Sequence, residues 1–191
     1  MNNRILAHCL PLCLVFGALA LSSCNSTGGS RDQAAAAVRQ GDFFKRSFSA
    51  RPKVQRHKSG ARVNHFVLSQ SNKRNTRLVI DIADQRGYLL VDGKVAVNTP
   101  VSTARAGKHT PRGTFSMGQR VRNGKVSSIY GVQMPYWMRL GGSVYGVHAG
   151  IVPGYPASAG CVRLPMEAAA IIFDNTAPGT KVSIYSKWDG A

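Results

Sequence analysis

Short runs of apolar, β-branched and aromatic residues, separated by Gly, Pro and Asp, dominate the chain from about residue 62 onward. Such runs, when turn residues bound them, are typical of β-strands. They predict strands at 77–82, 87–91, 94–101, 113–117, 133–140, 143–148 and 181–185. Two of these strands are joined only by Asp92-Gly93, a dipeptide that favours the tight turn of a β-hairpin. The pattern therefore predicts a mainly β domain.

One segment has helical rather than strand periodicity. Residues 165–175 begin with Pro165, which suits the first position of a helix, and carry Glu167 in the first turn. The apolar face of this helix would consist of Ala168, Ile171, Ile172 and Phe173. We expect one or two short helices in a mainly β domain that occupies residues 62–191, with no internal repeat.

The first residues have the organisation of an export signal. Arg4 precedes an apolar run from about Ile5 to Leu21, and small residues follow the run. The run contains His8 and Pro11 and is short for a stable membrane-spanning helix. A cleaved signal is therefore favoured over a permanent transmembrane anchor.

The end of this signal resembles the bacterial lipobox, with the sequence Leu21-Ser22-Ser23-Cys24. In a lipobox the cysteine is lipidated and becomes the new N-terminus. This predicts a signal peptide at residues 1–23 and a lipid anchor at Cys24, with plain secretion as the alternative. Asn25 rather than Asp follows, which by resemblance to the enterobacterial sorting pattern favours the outer over the inner membrane. We therefore expect a periplasm-facing lipoprotein of the bacterial cell envelope.

Residues 24–61 are polar, small or basic, and they predict a linker between the lipid anchor and the domain. The whole chain has 25 Lys+Arg against 8 Asp+Glu, a net charge of +17, and residues 31–77 alone carry 12 Lys+Arg against 2 Asp. Such a stretch either lies along anionic envelope polymer and lipid headgroups or is a solvated spacer. Because the chain is exported and the stretch lacks interleaved stacking aromatics, we expect no nucleic-acid partner.

Of the four cysteines, only Cys161 belongs to the predicted domain. Cys9 and Cys13 would leave with the signal peptide and Cys24 would carry lipid, so Cys161 has no disulfide partner in its own chain. A lone thiol in an oxidising compartment is either buried and inert or kept for its reactivity. The neighbours of Cys161 must decide between these possibilities.

His148 ends a predicted strand thirteen residues before Cys161. A cysteine nucleophile needs a nearby base or cation that holds it as a thiolate, and a neutral imidazole supplies one. Gly160 lets the backbone bend so that amide N–H groups meet the oxyanion of an attacked carbonyl. Arg163 is a cation suited to a carboxylate or to loop carbonyls. The set suggests acyl transfer through a thioester.

A zinc site is the other possibility for these side chains. His148, His109 and Cys161 lack the sequence spacing that is typical of zinc ligands, so we expect no metal or cofactor.

The pattern of His148, a gap, and then Ser158-Ala159-Gly160-Cys161-Val162-Arg163 resembles the signature of the L,D-transpeptidase catalytic domain, the YkuD-like family. Thr110-Pro111-Arg112-Gly113-Thr114-Phe115 is similar to the Thr-Pro-x-Gly-x-Phe turn of that family. The resemblance covers about residues 77–186. It implies an L,D-transpeptidase-like β-sandwich or barrel, with Cys161 as nucleophile and His148 as base.

The resemblance implies an enzyme that acts on peptidoglycan stem peptides. Cys161 would attack the carbonyl that joins the third residue of a tetrapeptide stem to D-Ala, and an amine of a second stem would resolve the thioester into a 3-3 crosslink. An envelope protein as acceptor would be attached to the wall, and water would make the site an L,D-carboxypeptidase. Carbapenems are implied as covalent inhibitors. The alternative from another class is a non-catalytic peptidoglycan-binding lipoprotein.

Several further residues are assigned to the site by the same resemblance. Ser158 and Gly160 belong to the oxyanion loop, and Arg163 would hold that loop or a substrate carboxylate. Aromatic side chains would either wall the substrate groove or pack inside the domain: Tyr130, Tyr136, Trp137 and Tyr155. Ala149 stands where some members have Ser or Gly. If a backbone carbonyl orients the imidazole, Ala149 suffices; if a hydroxyl is required, activity would be lower.

Overall fold

Ten strands and two helices occupy the part of the chain that the structure, a computed structural model, describes: residues 54–56 and 58–190. The strands are β1 (Val54–Arg56), β2 (Arg62–Asn64), β3 (Thr76–Asp81), β4 (Arg86–Val91), β5 (Lys94–Pro100), β6 (Gly113–Val121), β7 (Trp137–Leu140), β8 (Gly146–Ala149), β9 (Val162–Leu164) and β10 (Lys181–Tyr185). The helices are α1 (His65–Leu68) and α2 (Met166–Asp174). The predicted signal peptide, Cys24 and the linker as far as residue 53 lie outside the described residues.

The strands form one curled sheet in the order β1-β2-β5-β4-β3-β10-β6-β7-β8-β9. The pairs β3–β10 and β8–β9 are parallel, whereas the other neighbours are antiparallel. β6 pairs with β10 along its first half and with β7 along its second half, and its register shifts between Met117 and Arg120. This irregularity lets the sheet bend around a single core. The predicted mainly β fold with one or two short helices is confirmed.

The core lies inside the curl and is covered by α2. All four residues of β8 are buried, as expected for a strand with protein on both faces. α2 packs against β8 and β5 with Ala168, Ala169, Ile172 and Phe173 buried, while Ile171 is half-buried. Full burial of one such aliphatic side chain contributes about 1.5–3 kcal/mol. The packing of α2 therefore stabilises the position of β8.

The hairpin between β4 and β5 has the turn that its sequence predicts. Asp92 and Gly93 both adopt positive φ angles, 47° and 77°. Positive φ at both central residues is the requirement of a type I′ turn, and Asp-Gly meets it at low cost. The prediction for this hairpin is confirmed.

Two predicted strands begin later than expected. The one predicted at 133–140 begins only at Trp137, because Pro135 lacks a backbone donor and Tyr136 has a φ of 54°. The one predicted at 143–148 runs from Gly146 to Ala149, because the chain first turns at Gly142, whose φ is 72°. β6, in contrast, continues beyond residue 117 to Val121.

The elements that the pattern did not predict are all short. They are β1, β2, α1 and β9, of three or four residues each. β1 lies within the stretch interpreted as linker, where it pairs with β2. Segments of three or four residues are too short to show a hydrophobic periodicity in the sequence. Their secondary structure therefore depends on tertiary contacts. Within the described range, neither helix is long and apolar enough to cross a membrane.

Candidate active site

The parallel pairing of β8 with β9 brings the predicted site together. His148 lies opposite Arg163 in this register. Side chains two residues apart along an extended chain share a face, so Cys161, just before β9, lies on the face that carries Arg163. All three residues line one cavity of about 630 Å³. The gap of thirteen residues in the sequence is therefore closed by strand pairing.

The cavity is cationic and has an apolar rim. Lys125, Arg139 and Arg163 line it, and among the described residues no Asp or Glu does. Ile129 and Val144 also line it, although they are 75% and 79% exposed. Within the described part of the chain, no three His, Cys, Asp or Glu side chains come together as metal ligands. Such a lining suits an extended, carboxylate-bearing ligand.

His148 is buried and held in one tautomer. Its Nδ1 lies 2.8 Å from the backbone oxygen of Ala149. A carbonyl oxygen only accepts hydrogen bonds, so Nδ1 carries the proton and Nε2 of the neutral ring is free to accept one. Burial lowers the pKa of His148, the positive charge of Arg163 lowers it further, and the hydrogen bond to Ala149 opposes both. The backbone carbonyl of Ala149 thus orients the imidazole, as we expected if no hydroxyl is needed.

Cys161 is a half-buried free thiol. Burial raises its pKa, against the lowering effects of a backbone hydrogen bond with Gly146 and of the charge of Arg163. These directions favour a neutral thiol in the unliganded site, whereas the sequence analysis expected a thiolate held by a base. A neutral thiol would have to give up its proton as the sulfur attacks, and the His148 imidazole lines the same cavity.

The loop before Cys161 has a conformation that only glycine tolerates. Gly160 has a φ of 142°, and a Cβ placed there would lie 2.1 Å from Cε1 of Tyr145. The Gly160 N–H donates to Oγ of Ser158 at 3.0 Å. Since this N–H is occupied, Gly160 and Ser158 shape the loop, and the N–H of Cys161 itself is an amide at the sulfur that is available to an oxyanion.

Residues that are distant in sequence and do not line the cavity hold this loop. Ser102 exchanges two backbone hydrogen bonds of 3.0 Å with Arg163, and the Ser158 N–H donates to the Thr103 oxygen at 2.9 Å. The Thr110 hydroxyl donates to the Gly160 carbonyl at 2.9 Å. The sequence analysis matched the turn that begins at Thr110 to the family but gave it no role in the site, and it assigned no role to Ser102 or Thr103. Their only signal was a series of small hydroxyl residues.

The remaining predicted residues divide into two groups. Tyr130 and Trp137 line the cavity, with Trp137 6.0 Å from the His148 ring. Tyr136 instead packs against Phe173 at 5.7 Å. Tyr155 is 63% exposed, and its backbone oxygen accepts from Ser102 Oγ. Neither Tyr136 nor Tyr155 is among the cavity-lining residues.

Gly146 is a site residue that sequence reasoning missed. A Cβ at this position would lie 2.6 Å from the Trp137 ring, so the ring packs directly on the backbone. That same backbone forms the hydrogen bond with Cys161 that lowers its pKa. A glycine in a buried strand often marks such a close approach, and this was the available signal.

The comparisons with known proteins agree with this fold. Residues 75–184 match the L,D-transpeptidase catalytic domain family, YkuD, and the chain belongs to that family. It therefore carries the catalytic domain of a transpeptidase.

Solved structures with the same fold are also L,D-transpeptidases. The one from Mycobacterium smegmatis has a TM-score of 0.55 and 22% identity over 58% of each chain. The one from Xylanimonas cellulosilytica DSM 15894 has a TM-score of 0.53 and 26% identity over 80% of this chain and 69% of that chain. L,D-transpeptidase 3 from Mycobacterium tuberculosis, in complex with a faropenem-derived adduct, has a TM-score of 0.53 and 20% identity, with 58% of this chain and 60% of that chain covered. No curated protein matches the chain.

Proposed function

We propose that the chain is a cysteine-dependent peptidoglycan L,D-transpeptidase that forms 3-3 crosslinks between tetrapeptide stems. The observation that carries this proposal is the neutral His148, whose Nδ1 is occupied by the Ala149 oxygen and which shares a cavity with the Cys161 thiol. An imidazole with a free Nε2 is a general base for a neighbouring thiol.

In the acylation step, Cys161 Sγ attacks the carbonyl carbon between the third stem residue and the terminal D-Ala. A sulfur–carbon bond forms while the thiol proton passes to Nε2 of His148. The negative charge that develops on the carbonyl oxygen is met by the Cys161 N–H. When the carbon–nitrogen bond breaks, His148 returns the proton to the departing D-Ala amine, and the stem remains bound as a thioester.

The second step reverses these roles. The side-chain amine of a second stem attacks the thioester carbon and gives its proton to His148. The carbon–sulfur bond breaks, the sulfur takes up the proton, and a new amide joins the two third residues. Water in place of the amine would release a tripeptide, and an amine of an envelope protein would attach that protein to the wall.

The charge of the site supports a peptidoglycan substrate. Stem peptides carry carboxylates, and the cavity is lined by Lys125, Arg139 and Arg163 without a described acidic side chain. We further propose that Cys24 is lipidated and tethers the domain to the outer membrane, facing the periplasm. A tether of this kind raises the effective concentration of the domain beside the wall.

The test is to incubate the purified protein with disaccharide-tetrapeptides and to weigh the products by mass spectrometry. A crosslinked dimer with release of D-Ala is the expected result, and Cys161→Ala should abolish it. If tripeptide were the only product, the enzyme would be an L,D-carboxypeptidase rather than a transpeptidase. Unchanged substrate that still binds would favour a non-catalytic peptidoglycan-binding lipoprotein.

A second readout labels the nucleophile directly. An L,D-transpeptidase of the same fold has been solved in complex with imipenem. We expect imipenem to add its mass to the wild-type protein, with the adduct mapping to Cys161. Labelling of the Cys161→Ala variant would contradict the assignment of the nucleophile.

A further inference from the structure

Thr110 is a buried residue that contacts the loop of the nucleophile without lining the cavity. It is 7% exposed, and its Oγ1 donates to the Gly160 carbonyl oxygen at 2.9 Å. Thr110 Oγ1 also accepts a hydrogen bond from the Ala104 N–H, at 3.0 Å. The hydroxyl therefore both donates and accepts a hydrogen bond, and these two bonds fix its orientation.

The Gly160 carbonyl and the Cys161 N–H belong to one peptide unit. This unit is planar and trans, so its C=O and N–H point in opposite directions. Thr110 bonds the carbonyl and does not line the cavity, so the N–H of Cys161 lies on the side of the peptide opposite to Thr110. Rotating this peptide would aim the donor away from the position of an oxyanion.

We propose that Thr110 is a positioning residue for acyl transfer, which acts by orienting the Cys161 N–H toward the oxyanion. The inference rests on the proposed function, because an oxyanion forms only if Cys161 attacks a carbonyl. It assigns a role to the threonine of the Thr110-Pro111 turn, which is separated from Cys161 by fifty residues of sequence and contacts no substrate itself.

Two neighbours restrict the loop but leave this peptide to Thr110. Ser158 holds the N–H of Gly160, which belongs to the preceding peptide unit. Tyr145 fills the space where a Gly160 side chain would lie. These contacts set where the loop runs, whereas the hydroxyl of Thr110 sets the rotation of the 160–161 peptide.

Two reactions of the same thiol separate this role from a general structural one. Acylation by imipenem passes through a tetrahedral oxyanion and needs the donor. Alkylation by iodoacetamide displaces iodide at a saturated carbon and forms no oxyanion. A defect confined to acylation therefore reports on the amide, whereas a defect in both reports on the sulfur, the imidazole or the fold.

The variants are Thr110→Val, which keeps the shape and removes the hydroxyl, and Thr110→Ser, which keeps the hydroxyl. Thr176→Val is the matched control, because Thr176 is fully buried, donates to the Ile172 oxygen at 2.7 Å and does not line the cavity. Each full-length protein is assayed for imipenem acylation, iodoacetamide alkylation, thermal unfolding, and kcat and KM on disaccharide-tetrapeptide.

We expect Thr110→Val to slow acylation about 10- to 100-fold, somewhat less than complete loss of an oxyanion donor. The loss should fall on kcat rather than KM, because the contact forms in the transition state. Alkylation should stay at the wild-type rate, and Thr110→Ser should restore acylation. Thr176→Val should lower the melting temperature without slowing acylation.

Either of two results would overturn the inference: wild-type acylation in Thr110→Val, or an equal loss of acylation and alkylation in that variant. Its failure differs from failure of the proposed function, which the wild-type protein itself reports. A wild type that alkylates normally but neither accepts imipenem nor consumes tetrapeptide would remove the proposed function, and this inference with it.

Discussion

At the level of single residues, burial decides the protonation of the two reacting groups. Burial is the largest influence on both: it lowers the pKa of His148 and raises the pKa of Cys161. The charge of Arg163 lowers both values, which favours the thiolate but opposes the imidazolium. Both shifts favour a neutral pair over an ion pair in the unliganded site, so we expect attack to depend on proton transfer.

This state predicts a pH profile for imipenem acylation. The neutral fraction of His148 grows as the pH rises through its lowered pKa, so the acid limb should have a midpoint below about 6.5, followed by a plateau. In His148→Gln the rate at neutral pH should fall about 10²- to 10⁴-fold. In that variant it should then rise about tenfold per pH unit, as only the thiolate reacts, until the raised pKa of Cys161 is passed.

His65→Gln is the control for this profile, because His65 begins α1 and does not line the cavity. The measurement is the adduct mass as a function of time across a range of buffers. If the rate of Cys161 alkylation in the wild type were already at its maximum in mild acid, the thiol would be ionised there, and this would contradict the neutral pair. A plateau that persists in His148→Gln would remove His148 as the base.

At the level of elements, Cys161, the proposed nucleophile, is held by strands and loops from distant parts of the chain. β9 has only three residues, pairs with β8 on one side, and is held on its other side by Ser102. The Ser102 side chain is fully buried. Its Oγ donates to the Tyr155 oxygen at 2.9 Å and accepts the Ala157 N–H at 3.1 Å. One hydroxyl thus secures the loop that leads to Cys161.

Ser102→Ala is expected to loosen this loop. The change removes the hydroxyl donor to the Tyr155 oxygen and one of the two acceptors of the Ala157 N–H, which still donates to the Thr103 oxygen at 3.0 Å. A hydrogen bond of this kind contributes about 0.5–1.5 kcal/mol. Amide hydrogen exchange should accelerate at residues 155–160, and imipenem acylation should slow with it. The measurement is exchange followed by mass spectrometry on the intact protein and its peptides.

Ser183→Ala is the matched control, because Ser183 is 2% exposed and lies in β10, away from this loop. Its hydroxyl is hydrogen-bonded to the Thr114 hydroxyl at 3.2 Å. It should lower overall stability without a selective effect at residues 155–160. Equal acceleration of exchange in both variants, spread over the whole described domain, would show that Ser102 contributes only global stability.

At the level of the whole molecule, positive charge extends beyond the catalytic site. Residues 31–77 carry a net charge of +10 and residues 78–191 a net charge of +6. The cavity itself has three cationic lining residues. A charge of one sign along residues 31–191 attracts the protein to an anionic polymer over distances longer than any single contact.

The protein should therefore bind purified peptidoglycan sacculi in a salt-dependent manner. Raising NaCl from about 0.05 M to about 0.5 M shortens the screening length to a few ångströms and should reduce the bound fraction about threefold or more in a pelleting assay. Neutralising Lys45, Arg46 and Arg51 to Gln should weaken this salt dependence. Alkylation of Cys161 by uncharged iodoacetamide should remain unchanged. Binding that does not change with salt concentration would indicate that residues 24–61 are a spacer without an electrostatic function.

Local patterns were sufficient for much of this architecture. The Asp92-Gly93 hairpin, the helix at 166–174 and the strand at 181–185 follow from turn chemistry and periodicity, which depend on residues adjacent in sequence. The nucleophile and base could be selected in the same way, because a Cys/His pair with a glycine has a recognisable chemistry. The family match covers residues 75–184, the range that contains both residues.

Other properties arose only from the folded arrangement. Tyr130 lines the cavity while Tyr136, six residues later, packs against Phe173, and no local pattern separates them. The pKa shifts of the thiol and the imidazole depend on burial, and the contacts of Ser102 and Thr110 join residues fifty or more positions apart in the sequence. Desolvation and hydrogen-bond direction are set by atoms brought close in space, so they become defined only when the sheet has curled and β9 has docked.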